Sequence, residues 1–121
     1  MSDEKSAKLG SVCHLEIPAP DLEKMQTFYG AVFGWEFTPM GDEYMLFSTG
    51  DGGGGFDPAL PVADGGAVLI LAVDDIQAAL TQIEDAGGEG LTPKTEISGD
   101  HGSCAYFRDP CGNKMGIWSG S

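Results

Sequence analysis

Ala67–Gly88 reads AVLILAVDDIQAALTQIEDAGG, and it has an earlier counterpart in Pro18–Gly34, PAPDLEKMQTFYGAVFG. The later stretch opens as a strand that is apolar on both faces, Ala67 to Val73. Asp75 then stands where a helix N-cap belongs, because its side chain can accept from the free N–H groups of a first turn. Ile76, Ala79, Leu80, Ile83 and Ala86 recur at helical spacing on one stripe, and Gly87-Gly88 stop it. The earlier stretch repeats this plan. Asp21 is the cap, Leu22, Met25, Tyr29 and Val32 form the stripe, Phe28 and Phe33 widen it, and Gly34 ends it. A shift of 54 residues pairs Leu22 with Ile76, Met25 with Ala79, Tyr29 with Ile83, Val32 with Ala86 and Gly34 with Gly88. The chain is a repeat of one supersecondary unit.

Outward from the helices, both halves read strand, helix, then three strands. Before the first helix, Ser11 to Ile17 is strand-like, with Val12, His14 and Glu16 on one face and Cys13, Leu15 and Ile17 on the other. After it come Trp35 to Thr38 and Tyr44 to Ser48, joined by a turn near Gly41-Asp42. The glycine run Gly50 to Gly55 reads either as a floppy hairpin or as backbone that a ligand could approach. It lacks the strand and helix context of a phosphate loop. After the second helix come Gly90 to Ile97, Ser103 to Arg108 and Lys114 to Trp118, with Asp109-Pro110-Cys111-Gly112-Asn113 as a tight turn between the last two. The expected fold class is α+β: two βαβββ modules whose curved sheets form a trough. Module one covers about 11–57 and module two about 65–119, within one domain over 11–121. Residues 1–10 are expected to be a flexible tail.

Composition narrows the function. The chain has 121 residues, with 6 Lys and Arg against 19 Asp and Glu, a formal net charge of −13. Such a charge repels phosphate backbones and anionic lipid, so nucleic acid and membrane are not expected partners. No apolar run approaches the roughly 18 to 20 residues needed to span a bilayer. Met1 to Leu9 lacks the apolar core of a signal peptide, and the odd set Cys13, Cys104 and Cys111 has no CxxC spacing. A cytoplasmic protein without a disulfide framework is expected.

Several strings, in order, resemble the vicinal oxygen chelate superfamily, the glyoxalase, bleomycin-resistance and extradiol dioxygenase proteins. They are His14-Leu15-Glu16-Ile17-Pro18, Phe28-Tyr29, Val32-Phe33-Gly34-Trp35, Gly54-Gly55-Phe56, Val73-Asp74-Asp75-Ile76, Gly87-Gly88 and Phe107-Arg108-Asp109-Pro110-Cys111-Gly112-Asn113. The match looks most like small single-chain members related to lactoylglutathione lyase, and it spans Ser11 to Trp118. The resemblance implies a small-molecule site in the trough, and a homodimer.

It also implies a divalent ion held by His, Gln or Glu from the first and last strands of each module. His14 stands at the first such position. Its counterpart 54 residues on is Val68, which has no donor atom. The last-strand position in module two is Gly116. Its counterpart in module one is Phe56 at a shift of 60, or Gly55 or Asp57 with one residue of slippage. Three ligands are the usual minimum for a catalytic zinc. No cofactor is therefore expected, an atypical divalent-metal site being the alternative.

His14 and Glu16 are the candidate acid–base pair, since imidazole titrates near neutral pH and a carboxylate on the same face could orient it. The bland reading is a histidine merely hydrogen-bonded in the trough. Tyr44, Phe56, Tyr106 and Trp118 are candidate ligand-binding aromatics, or else they only close the core. Trp35 is expected to pack, Cys111 to be exposed in its turn, and Cys13 to face the helix. Three functions follow. The first is a metal-independent protein that binds a small organic molecule, as bleomycin-resistance proteins sequester a drug. The second is a lyase- or isomerase-type enzyme using His14 and Glu16 or an atypical metal. The third is an interaction module with an acidic surface. With Arg108 as the only arginine, a glutathione conjugate is poorly served.

Overall fold

A computed structural model describes residues 9–63 and 65–121. Apart from Leu9 and Gly10, the expected N-terminal tail lies outside the described residues, as does Asp64 at the end of the connector.

The elements run β1 (Leu15–Pro18), α1 (Leu22–Phe33), β2 (Glu36–Pro39), β3 (Met45–Ser48), β4 (Gly53–Asp57), β5 (Ile70–Ala72), α2 (Ile76–Asp85), β6 (Glu89–Gly90), β7 (Thr95–Glu96), β8 (Ser103–Arg108) and β9 (Lys114–Ser119). Strands β1-β4-β3-β2 form one sheet and β5-β9-β8-β6 the other, with β7 also on β8. In each sheet the first strand lies parallel to the last, and the other pairings are antiparallel. These are two βαβββ modules. Each helix begins where the caps predict: Asp21 accepts from the Lys24 N–H and Asp75 from the Ala78 N–H. Gly34 closes α1 in the left-handed region at φ 72°, a conformation glycine adopts without steric cost.

One core serves both modules. Met25, Phe28 and Tyr29 of α1 and Ile76, Ala79 and Ile83 of α2 are buried against Ile17, Phe47, Phe56, Ala105, Phe107, Met115 and Ile117. Trp35 packs as expected, its ring 4.5 Å from that of Tyr29 and 4.6 Å from that of Phe47. Phe28 and Phe33 reach across to Phe107 in the second sheet, at 6.2 and 6.0 Å.

A polar tie sits beside this aromatic bridge. Asp109, only 3% exposed, accepts from the Tyr29 hydroxyl (2.8 Å), from the Asn113 side-chain amide (2.9 Å) and from the backbone N–H groups of Cys111 and Asn113 (3.0 Å each). The Asn113 amide also donates to the Pro18 carbonyl at 2.8 Å. The tight turn is thereby fastened to both α1 and β1 of module one.

Five expectations need correction. The first strand is shorter than Ser11 to Ile17, because β4 pairs only with Leu15–Pro18. Alternation therefore does not govern Cys13, which is exposed rather than turned toward the helix. The glycine run is not a floppy hairpin: Gly53–Asp57 is a central strand. A Cβ on Gly54 would strike the Leu15 backbone, and one on Gly53 the Phe47 carbonyl, so only glycine lets the neighbouring strands come this close. The strand expected over Gly90 to Ile97 is broken into β6 and β7 around Pro93, which has no N–H to give the ladder. Cys111 is half-buried rather than exposed, and burial raises its thiol pKa.

Candidate functional site

Each sheet has one face on the helices and one turned away from them. In the first sheet, Ile17, Phe47 and Phe56 point to the core, so alternation sends Glu16, Leu46, Gly55 and Ser48 to the opposite, open face. Gly55 lies between Glu16 and Leu46 in the register. With no side chain of its own it leaves a gap, and Tyr44 fills it: a Cβ on Gly55 would run into the Tyr44 ring.

That placement brings three polar groups together. The Tyr44 hydroxyl donates to Glu16 Oε2 at 2.9 Å. The Tyr44 hydroxyl oxygen is also 2.9 Å from His14 Nε2. A phenol has one proton to give. Once it goes to Glu16, the His14 contact requires Nε2–H to donate to the phenol oxygen. In the neutral ring Nδ1 then carries the lone pair. Partial desolvation, and then the hydrogen bond to the Glu16 carboxylate, raise the Tyr44 pKa above that of an ordinary phenol. Of the expected residues, His14, Glu16 and Tyr44 are thus brought into one hydrogen-bonded row. The row itself was not visible in the sequence, because Tyr44 reaches Glu16 only through the empty position at Gly55. Beside it lies a shallow groove lined by Cys13, His14, Glu36, Thr38, Leu46 and Ser48.

The second sheet presents the matching face. Tyr106 lies opposite Gly116, and Trp118 opposite Cys104. A Cβ on Gly116 would first strike Ile70 Cδ1 and then meet the Tyr106 ring at 3.2 Å, so here an isoleucine and a tyrosine together cover a glycine. The Lys114 ammonium sits 4.9 Å from the centre of that ring. Trp118 is 40% exposed, and its indole N–H donates to the His101 carbonyl at 2.8 Å. Phe56 is the exception among the expected ligand-binding aromatics. It is 0% exposed on the helix side, 5.6 Å from Tyr29 and 5.0 Å from Phe47, and belongs to the core.

The register also resolves which residue of module one answers to Gly116. Gly116 pairs with Ile70 and Tyr106, as Gly55 pairs with Glu16 and Leu46. The counterpart is Gly55, not Phe56. The four positions that the resemblance assigns to an ion are therefore His14, Gly55, Val68 and Gly116, and only His14 carries a donor atom. The Tyr44 ring at Gly55, and Ile70 together with Tyr106 at Gly116, occupy the space a ligating side chain would need. Among the described residues no three His, Cys, Asp or Glu side chains gather as a metal site would require. The residues present do not fit a family-type ion.

Comparison with known proteins agrees with the architecture. The sequence model of the Glyoxalase/Bleomycin resistance protein/Dioxygenase superfamily matches residues 11–117. A Mycobacterium bovis protein named "Putative glyoxylase CFP32" is 27% identical over 128 residues, covering 98% of this chain and 49% of its own length. This chain thus spans about half of that relative. A glyoxylase-like domain-containing protein of Didymella fabae is 26% identical over 118 residues, covering 89% of this chain and 92% of that protein. Among solved structures, a glyoxalase/bleomycin resistance protein/dioxygenase family enzyme from Burkholderia phytofirmans superposes with a TM-score of 0.78 at 19% identity, over 89% of this chain and 97% of that one. At that identity the likeness speaks for the fold alone.

Proposed function

The chain belongs to the Glyoxalase/Bleomycin resistance protein/Dioxygenase superfamily, and from that premise we propose that it binds a small organic molecule against the open sheet faces without the family's usual ion. The observation that carries this reading is the His14–Tyr44–Glu16 row, seated where Gly55 leaves room for a ring instead of a metal ligand. The row offers a ligand one acceptor, Nδ1, backed by a phenol and a carboxylate. Tyr106 and Trp118 supply flat apolar surface on the second sheet. Apolar walls with a few placed polar groups are what small-ligand sites offer.

A second reading is favoured by the same row. Nδ1 of His14 can take a proton from a bound ligand, and the positive ring so formed is stabilised through Tyr44 by Glu16. This is lyase- or isomerase-type acid–base chemistry. The two readings differ in whether the ligand leaves changed.

The first experiment is a thermal-shift screen with small aromatic and thiol-containing metabolites, followed by product analysis of every hit. A ligand at about 100 times its Kd should stabilise the fold by roughly 2.7 kcal/mol. The reading expects a hit whose shift is lost in both His14→Ala and Tyr44→Phe. Unchanged ligand supports binding alone, and a new product supports the acid–base reading. Purified protein that retains stoichiometric Ni, Zn, Mn or Fe, and loses it in His14→Ala, would overturn both in favour of an atypical metal enzyme. The reading includes a homodimer, supported by the exposed apolar residues Ile70 and Trp118, and sedimentation at micromolar concentration tests it. The three free cysteines support a reducing, cytoplasmic setting.

A further inference from the structure

Between the modules, away from the groove at His14, lies a cavity of about 200 Å³. Its walls include Ile17 of β1, Met115 of β9, and Val68 and Leu69 just ahead of β5. Among the described residues two charged side chains line it, Glu16 and Lys114. Asn113 lines it too, but its amide is committed to the Pro18 carbonyl and to Asp109.

The two charges are of opposite sign, and each is turned to an aromatic side chain. Glu16 accepts from Tyr44, and Lys114 is held over the Tyr106 ring. Both side chains reach solvent in the free protein, but each loses water when a ligand seats against it, and that loss is costly unless the ligand replaces the lost partners. A purely anionic guest would satisfy Lys114 and strand Glu16. A purely cationic guest would do the reverse. A guest carrying both charges satisfies both at once. The volume is below the roughly 300 Å³ at which drug-sized ligands begin to fit.

We propose that this seam cavity binds a zwitterion of the size and character of an aliphatic free amino acid. Its ammonium pairs with Glu16, its carboxylate with Lys114, and its side chain lies against Pro61, Ala67, Val68 and Leu69. The site shares Glu16 with the row on the sheet face but depends on no reaction there.

The probe is L-leucine, compared with 4-methylpentanoate, which lacks the amine, and 3-methylbutylamine, which lacks the carboxylate. Calorimetry gives the affinities, and amide chemical shifts give the location. Leucine should produce saturable shifts at Val68, Leu69 and Met115, and each single-charge analogue should bind about tenfold or more weakly, since losing one pair costs at least about 1.4 kcal/mol. Lys114→Gln and Glu16→Gln should each weaken leucine by a similar factor. His14→Ala removes the end of the row that neither lines the cavity nor bonds Glu16, so it should leave leucine binding within about threefold, under 1 kcal/mol. Failure of the sheet-face reading would therefore leave leucine binding intact. The proposal is overturned if leucine does not perturb those three amides, if either analogue binds as well as leucine, or if Lys114→Gln keeps full affinity.

Discussion

Tyr44 is a residue whose role depends on an absence next door. Its ring lies where a side chain at position 55 would stand, and from there its hydroxyl joins His14 to Glu16. Tyr44→Phe removes the acceptor that holds Nε2–H in place. Side-chain nitrogen NMR should show mainly the Nε2–H tautomer of His14 in the wild type at a pH where the ring is neutral, and a mixture in the variant. An unchanged tautomer ratio would mean that the row does not orient the imidazole. The glycines themselves allow a ranking. Gly55→Ala meets a side chain that can swing away, whereas Gly54→Ala meets the Leu15 backbone, which cannot. Urea denaturation should place Gly55→Ala near the low end of the roughly 1–3 kcal/mol cost of overpacking and Gly54→Ala at or above its high end. The sequence paired His14 with Glu16 by parity, yet His14 lies ahead of β1, where alternation does not hold, and meets Glu16 only through Tyr44. Tyr44 was legible only as an aromatic, because nothing in the sequence says that β4 has a gap at the right register.

At the scale of elements, the helices were the clearest part of the sequence. Asp21 and Asp75 cap as their positions require, and the apolar stripes are the buried faces. Asp75→Ala should cost about 1 kcal/mol in denaturant unfolding, the usual loss for an N-cap carboxylate. The strands were less legible. A short strand exists only where a neighbour offers hydrogen bonds, and the extents of β1 and β5 are set by β4 and β9 rather than by local residues. The Asp109 turn belongs to this scale as well. Burial raises the Asp109 carboxyl pKa above the ordinary value, although hydrogen bonds from Asn113, Tyr29 and Cys111 pull it down. With the folded pKa above the unfolded one, the fold binds the proton more tightly than the open chain does. Lowering the pH from above the folded pKa toward the ordinary carboxylate value therefore adds stability from this group. Against Asp109→Asn, whose side chain does not titrate, the wild type should gain relative stability as pH falls across that window. A gap that narrowed instead would show that the hydrogen bonds outweigh burial. Tyr29→Phe, which removes the buried donor, should cost about 1.5–3 kcal/mol.

For the whole molecule the question is whether two modules make one cooperative unit. The repeat suggested two similar bodies. Phe28, Phe33 and Phe107 instead join them through one core, and Asp109 and Asn113 tie the second module's turn to the first module's helix and strand. Each module holds one tryptophan, Trp35 in the first and Trp118 in the second. Single-tryptophan variants, Trp35→Phe and Trp118→Phe, should report the same unfolding midpoint when each is compared with circular dichroism of the same variant. Two separated transitions would mean that the modules are independent. Phe107→Ala should lower both by about 3–5 kcal/mol, as loss of a buried phenylalanine does.

The tie at Asp109 also makes the two halves unlike. Tyr29 has Ile83 as its partner under the 54-residue shift, and Asp109 has Thr49 under the 60-residue shift, so neither half carries the other's share of the fastening. Two copies of the first half could not close on each other in this way, nor could two copies of the second. The halves therefore fit each other as unlike parts, and a gene split at the connector would yield complementary fragments rather than interchangeable ones.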